Sequence, residues 1–341
     1  MAHMTSDVSA NPPYELVEGW EQLPDGYTHL DVADVAVDAA DRVHLVTRMD
    51  PRVIVYDREG RFLESWGEGV LSPRPHAITI APDGTIFCVD EGEHVVRHFT
   101  ADGKPLELIG MPGAESDTGH DGSISDFYER VGSITCGGPP FNRPTKLAIA
   151  PNGDLYVSDG YGNSRIHHFS PSGELIRSWG EPGTGPGEFH VPHSVCVLDD
   201  GRVLVADREN ERVQVFTADG EFVEQWADMQ RPSAIAVDPE GLIYVTELAW
   251  RAGERSWVHG AIDRARPARL CVLDGKGRVL GRWASEGEGC DPGNLLAPHG
   301  MTVDSQGDIY VAEVSHTFNT GRGVVDHECH AFQKFARTRR I

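Results

Sequence analysis

The sequence is short of positive charge. Its 30 Lys and Arg stand against 53 Asp and Glu, for a formal net charge of −23. Nucleic acids and anionic membrane surfaces need a basic patch to neutralise their phosphates, so neither is expected as a partner. The acidity reads as a solvated surface. Long apolar runs are missing too: none approaches the roughly 20 residues that span a bilayer. Paired cysteine motifs are missing. Cys88, Cys136, Cys196, Cys271, Cys290 and Cys329 include no CxxC, and their spacing points to no disulfide framework. Reduced thiols in a cytoplasmic protein are therefore expected. No secretion leader follows the opening MAHM, which looks like a cloning remnant, and residues 1–13 are expected to be a disordered tail. No stretch carries helical spacing of any length comparable to the strands described next.

What is present is one pattern, repeated. Residues 190–212, HVPHSVCVLDDGRVLVADRENER, show it best. Pro192-His193 leads into an alternating strand, a turn follows at Asp199-Asp200-Gly201, a second strand runs RVLVA, and a charged loop ends the unit. Related segments begin at Val32, Pro75, Pro144, Pro232 and Pro298. Each holds short strands separated by turns with Asp or Gly, and the Asp-Gly and Asn-Gly turns fit tight hairpins, where glycine tolerates positive φ. Six such units predict an all-β, six-bladed β-propeller occupying residues 14–341. The sixth unit ends after its third strand. Residues 14–23, YELVEGWEQL, resemble the fourth strands of the other units and are expected to close the ring. Insertions at about 111–143, 250–267 and 315–329 interrupt the period and are candidates to wall a site.

Aligning the first position of each inner strand gives Ala33, His76, Thr145, His193, Ser233 and His299. Histidine occupies alternate units, each time after proline. Alternate blades of such a ring stand about 120° apart, so the three imidazoles should converge on the axis. Three neutral imidazoles with an open position suit Zn2+ or another divalent transition metal. His190, His167 and His168 fall off this register and read as ordinary strand or loop residues. The loop after the second strand gives a second aligned set: Arg48, Glu91, Tyr161, Arg208, Glu247 and Glu313. It should open on the same face as the histidines. Arginine offers a fork for a carboxylate, and a tyrosine beside a metal is suited to act as a base. Arg48, Tyr161 and Arg208 are thus the candidate catalytic residues. The three glutamates share the face without independent support.

At 158–180, SDGYGNSRIHHFSPSGELIRSWG, and 189–216, FHVPHSVCVLDDGRVLVADRENERVQVF, the chain resembles the NHL-repeat peptidyl-α-hydroxyglycine α-amidating lyases. The likeness extends over most of residues 30–336. It implies a zinc on His76, His193 and His299, a catalytic tyrosine at Tyr161, and active-site arginines at Arg208 and Arg48. It implies cleavage of the N–C(OH) bond of an α-hydroxyglycine, giving an amide and glyoxylate. The implied partner is a small molecule or short peptide carrying an α-hydroxy amide and a carboxylate. No copper monooxygenase domain is expected in these residues, which favours a small substrate. Three positions depart from the family. Gly162 replaces a disulfide cysteine, and Ala297 replaces a methionine. Gly300 replaces the acidic residue that helps hold a structural Ca2+. Rival readings are a hydrolase using metal-bound water and a non-catalytic NHL interaction scaffold. A calcium-dependent lactonase-type propeller would use carboxylates and Asn instead.

Overall fold

The second strand of every repeat is mostly apolar and closes on a polar residue: VHLVT, IFCVD, LYVSD, VLVAD, IYVTE and IYVAE. All of its positions are buried, as expected of a strand covered on both faces. Fourth strands such as Leu175–Trp179 and Phe222–Trp226 are mostly exposed and mix apolar with charged residues. This gradient puts the first strands on the axis and the fourth on the rim. The computed structural model describes residues 13–284 and 290–341; the expected tail lies outside them, apart from Pro13.

Blades one to six open on Val32–Val37, Pro75–Ile80, Pro144–Ile149, Pro192–Val197, Pro232–Val237 and Pro298–Val303. Each blade is a four-stranded antiparallel sheet. Blade six takes its outer strand from the other end of the chain: Tyr14–Leu16 pairs with Phe332–Arg337, Tyr14 opposite Arg337 and Leu16 opposite Phe335. The expected closing strand is therefore present, but only its first three residues pair. The rest crosses to blade one, where Gln22 bridges Arg61.

Neighbouring blades are held by a repeated contact. The tryptophan ending a fourth strand lies over a glycine in the last turn of the next blade: Trp66 on Gly103, Trp179 on Gly220, Trp226 on Gly277. A β-carbon at any of these glycines would run into the indole. Trp20 also abuts a turn glycine, Gly60 of blade one, though there its backbone carbonyl lies nearer than its indole. It also packs against Tyr56, Tyr310 and Phe332 and donates from Nε1 to the Arg58 carbonyl at 2.8 Å. Trp20 is thus the interblade tryptophan of blade six, carried on the N-terminal segment.

The expectation of unpaired cysteines is corrected. Cys290 and Cys329 form a disulfide, with Cα atoms 4.9 Å apart. Thirty-nine positions separate them, but one precedes the first strand of blade six and the other its third, so the sheet brings them together. With that pair formed, thiol content no longer supports the cytoplasmic placement. Cys88, Cys136, Cys196 and Cys271 are free. Among the described residues no helix is long and apolar enough to cross a membrane.

Trp20→Ala should cost about 3–5 kcal/mol, the usual loss for a buried tryptophan, read by denaturant unfolding. A loss below about 1 kcal/mol, the level of an average substitution, would mean the ring closes without it.

Candidate metal centre

Every inner strand breaks register at one place: between Val32 and Asp34, Pro75 and Ala77, Pro144 and Lys146, Pro192 and Ser194, Pro232 and Ala234, Pro298 and Gly300. The residue inside each break is Ala33, His76, Thr145, His193, Ser233 or His299. A bulge leaves one residue out of the ladder and re-aims its side chain. Here it turns all six toward the axis. The odd and even blades then cooperate. His76 Nδ1 bonds to the Thr145 carbonyl (2.5 Å), His193 Nδ1 to the Ser233 carbonyl (2.7 Å) and His299 Nδ1 to the Ala33 carbonyl (2.7 Å). In return, Thr145 Oγ1 donates to the Pro192 carbonyl at 2.8 Å and Ser233 Oγ to the Pro298 carbonyl at 2.6 Å.

A carbonyl only accepts, so each Nδ1 carries the proton and each Nε2 presents a bare lone pair. All three imidazoles are buried, and their ligand nitrogens lie within 4.8 Å of one another. His193 Nε2 and His299 Nε2 are 3.1 Å apart. Burial, above all, holds all three pKa values well below the usual imidazole range; nearby Arg208 pushes all three the same way, and Arg48 adds to it for His76 and His299. Three neutral rings whose lone pairs converge, each fixed through its far nitrogen, form a donor set that fits a divalent transition metal.

Tyr161 caps this set. Its hydroxyl lies 2.9 Å from His193 Nε2 and 3.4 Å from Nε2 of both His76 and His299. Arg208, also buried, donates from a terminal nitrogen to that hydroxyl at 3.2 Å while its Nε donates to Glu209 at 2.8 Å. It therefore both anchors its loop and faces the axis. Arg48 stands on the same mouth, held by Asp31 (3.2 Å) and Thr317 (3.0 Å). Its buried Nε has no partner among the described residues. The six candidate residues are thus brought together. Of the aligned glutamates, only Glu91 faces the mouth. Glu247 turns to Arg269 in its own blade, and Glu313 to the Leu296 and Ala297 amides and Gln333. His167, His168 and His190 serve local contacts to Ser178, Asp154 and Asn210.

Above the triad lies a cavity of about 160 Å³, and the sequence reading missed much of its wall. Arg74, Arg143 and Arg231 line it, each immediately before the proline that opens its blade. The recurring Arg-Pro pair was the available signal. All three insertions contribute: Phe127 and Arg130 from the first, Glu254 from the second, Phe318 and Arg322 from the third. They brace one another. Tyr128 stacks on Trp257 at 3.8 Å, Arg255 bonds Asp126 and Glu129, and Arg251 bonds the Phe318 carbonyl at 2.8 Å. Asp126 caps the short helix Phe127–Gly132 by accepting from the Glu129 amide, which fixes the aromatic and arginine that follow it.

The residues present do not fit a structural Ca2+. At Gly300 there is no carboxylate, and a β-carbon there would strike Asp34. The Asp34 carboxylate is instead taken by the Lys146 ammonium, which also donates to the Ile78 carbonyl at 3.1 Å. Gly162 is similarly closed to a larger residue, because a β-carbon would collide with the Asn142 side chain.

The model of the family described as NHL repeat matches residues 141–169 and 189–216. The chain is 31% identical over 244 residues to the human NHL repeat-containing protein 3, covering 67% of this chain and 65% of that protein. It is 29% identical over 282 residues to peptidyl-alpha-hydroxyglycine alpha-amidating lyase 1 of Drosophila melanogaster, covering 75% of this chain and 45% of the relative. Among solved structures, a streptogramin B lyase superposes with a TM-score of 0.55 at 14% identity, covering 91% of this chain and 94% of that one, a likeness of fold alone.

Purified protein should carry about one divalent transition ion per chain at this three-imidazole site. His193→Ala should lose it by elemental analysis while keeping its far-UV circular dichroism. Protein that stays metal-free after reconstitution would remove the metal centre.

Proposed function

The chain is an NHL-repeat six-bladed β-propeller, homologous to peptidyl-α-hydroxyglycine α-amidating lyases, and on that premise we propose that it is a metal-dependent carbon–nitrogen lyase acting on an α-hydroxyglycine-like amide. The observation that carries this reading is the position of the Tyr161 hydroxyl, within 3.4 Å of all three Nε2 atoms and 3.2 Å from Arg208. A repeat scaffold has no use for a phenol held over converging lone pairs. A hydrolase on the same histidines would need a water there.

A divalent ion on His76, His193 and His299 would polarise the substrate's oxygen atoms and acidify its hydroxyl. The rest falls to the chain's own side chains. Arg48 and Arg208 hold the substrate carboxylate, using the donors left over from Asp31, Thr317 and Glu209. Arg208 also holds the hydroxyl of Tyr161, which removes the proton from the substrate hydroxyl as general base. The O–H electron pair becomes the second bond of the glyoxylate carbonyl, and the C–N bond breaks. Its electrons stay on nitrogen, which takes the proton back from Tyr161. The products are an amide and glyoxylate. Atoms and electrons balance without water or a redox partner.

Metal-loaded protein should release glyoxylate and the free amide, not the carboxylic acid, from an N-acyl-α-hydroxyglycine. Tyr161→Phe should lower kcat by about 10²- to 10⁴-fold, as expected for loss of a general base, with metal content unchanged. Arg208→Gln should raise KM as well. Acid in place of amide would point to hydrolysis, and no turnover at all would leave a non-catalytic scaffold.

A further inference from the structure

The chamber over the histidines holds more positive charge than one carboxylate needs. Seven arginines and only two glutamates line it, in a protein of net charge −23. Part of that charge is matched nearby. Arg48 pairs with Asp31, Arg208 with Glu209, and Arg231 with Glu209 and Glu254. Arg322 stands alone over the Phe318 ring, with no ion pair among the described residues, whereas the side toward blades two and three gathers several cations. Arg74 and Arg143 both lean on Glu91, and no second carboxylate serves them among the described residues. Arg130, beside them, donates only to the Ile124 carbonyl at 2.8 Å and has no ion pair among the described residues. Three cations thus share one anion in a half-buried wall. Burial and the charges of Arg143 and Arg74 pull the Arg130 guanidinium below its usual range, the mark of an unmet positive cluster.

The geometry separates this cluster from the carboxylate site by one side chain. The Arg130 guanidinium lies 5.6 Å from the centre of the Phe127 ring, and that of Arg208 lies 5.4 Å from it. Phe127 therefore offers an apolar spacer between two anion-binding ends. We infer that the substrate is a dianion: the acyl group on its α-hydroxyglycine unit ends in a second carboxylate, which Arg130 receives with Arg74 and Arg143. This rests on the lyase reading for the reacting end. The distal charge is a separate claim about what the chamber binds.

The test therefore uses ligands that cannot react. N-succinylglycine and N-butanoylglycine share the glycine carboxylate and differ in the distal charge. Titration calorimetry on the metal-loaded full chain should show the succinyl compound binding at least about tenfold more tightly, as one charge-assisted contact provides. Arg130→Gln should shrink that ratio to below about threefold, and Arg130→Lys should restore part of it. Equal binding of the two ligands, binding of neither, or a ratio untouched by Arg130→Gln would each overturn the dianion proposal. Glyoxylate release from N-succinyl-α-hydroxyglycine is read separately. A tenfold binding preference without glyoxylate keeps the dianion site and removes the lyase. Glyoxylate released equally well from the butanoyl analogue, with no binding preference, does the reverse.

Discussion

The candidate centre depends on one kind of hydrogen bond, an imidazole Nδ1–H donated to the backbone of the next blade. Each of the three bonds joins a histidine on an even blade to the same position on the odd blade that follows. A backbone carbonyl is a better anchor than a side chain here, because it has no rotamer to lose and is fixed by its own sheet. The bond sets the tautomer, the ring plane and the spacing of the Nε2 atoms together. It also explains why histidine alternates around the ring. An imidazole needs a neighbour at the same height that supplies a carbonyl without competing for the axis, and alanine, threonine and serine are small enough to do so.

This arrangement was only partly legible in the sequence. The Pro-His register placed His76, His193 and His299 at one height, because a period of turns and strands fixes position along the axis. It did not reveal the bulge that rotates those side chains inward, since a bulge is a property of the strand pair and leaves no residue signature at Ala33 or Ser233. Loop alignment placed Arg48, Tyr161 and Arg208 at the mouth but could not tell Glu91, which faces it, from Glu247 and Glu313, which turn into their own sheets. That difference is set by Arg269 and Gln333 on third strands, far along the chain. The arginines before the blade-opening prolines escaped notice for a simpler reason: they lie one step outside the aligned strand. The Cys290–Cys329 pair escaped because sheet order, not spacing, makes them neighbours.

Charge is distributed to the same end. A strongly acidic surface repels anions in general, yet the chamber is cationic. Much of that positive charge comes from residues flanking the regular strands: loop arginines, prolyl-adjacent arginines and the insertions. The propeller supplies rigid positions on the axis, and the irregular segments supply the charged lining of the chamber. Deeper in the channel, Lys146 is held by Asp34 and the Ile78 carbonyl, so a covalently attached ammonium sits where Gly300 has removed a carboxylate. A fixed cation needs no ion from solution to neutralise Asp34.

Ring closure and site geometry turn out to be the same problem. The His299 imidazole belongs to blade six, but the carbonyl that orients it, from Ala33, belongs to blade one. Arg48 of blade one is likewise held partly by Thr317, from the blade-six insertion, and Asp31 ties the two together. The seam between first and last blades therefore carries one histidine anchor and one arginine of the mouth. Among the described residues it is the one interblade junction sealed by a distant segment, through the Tyr14–Leu16 strand and Trp20 on Gly60. Loosening it moves His299 away from a partner on which its tautomer depends. The N-terminal segment, remote from the axis, is thereby coupled to the geometry of the triad through the backbone of blade one.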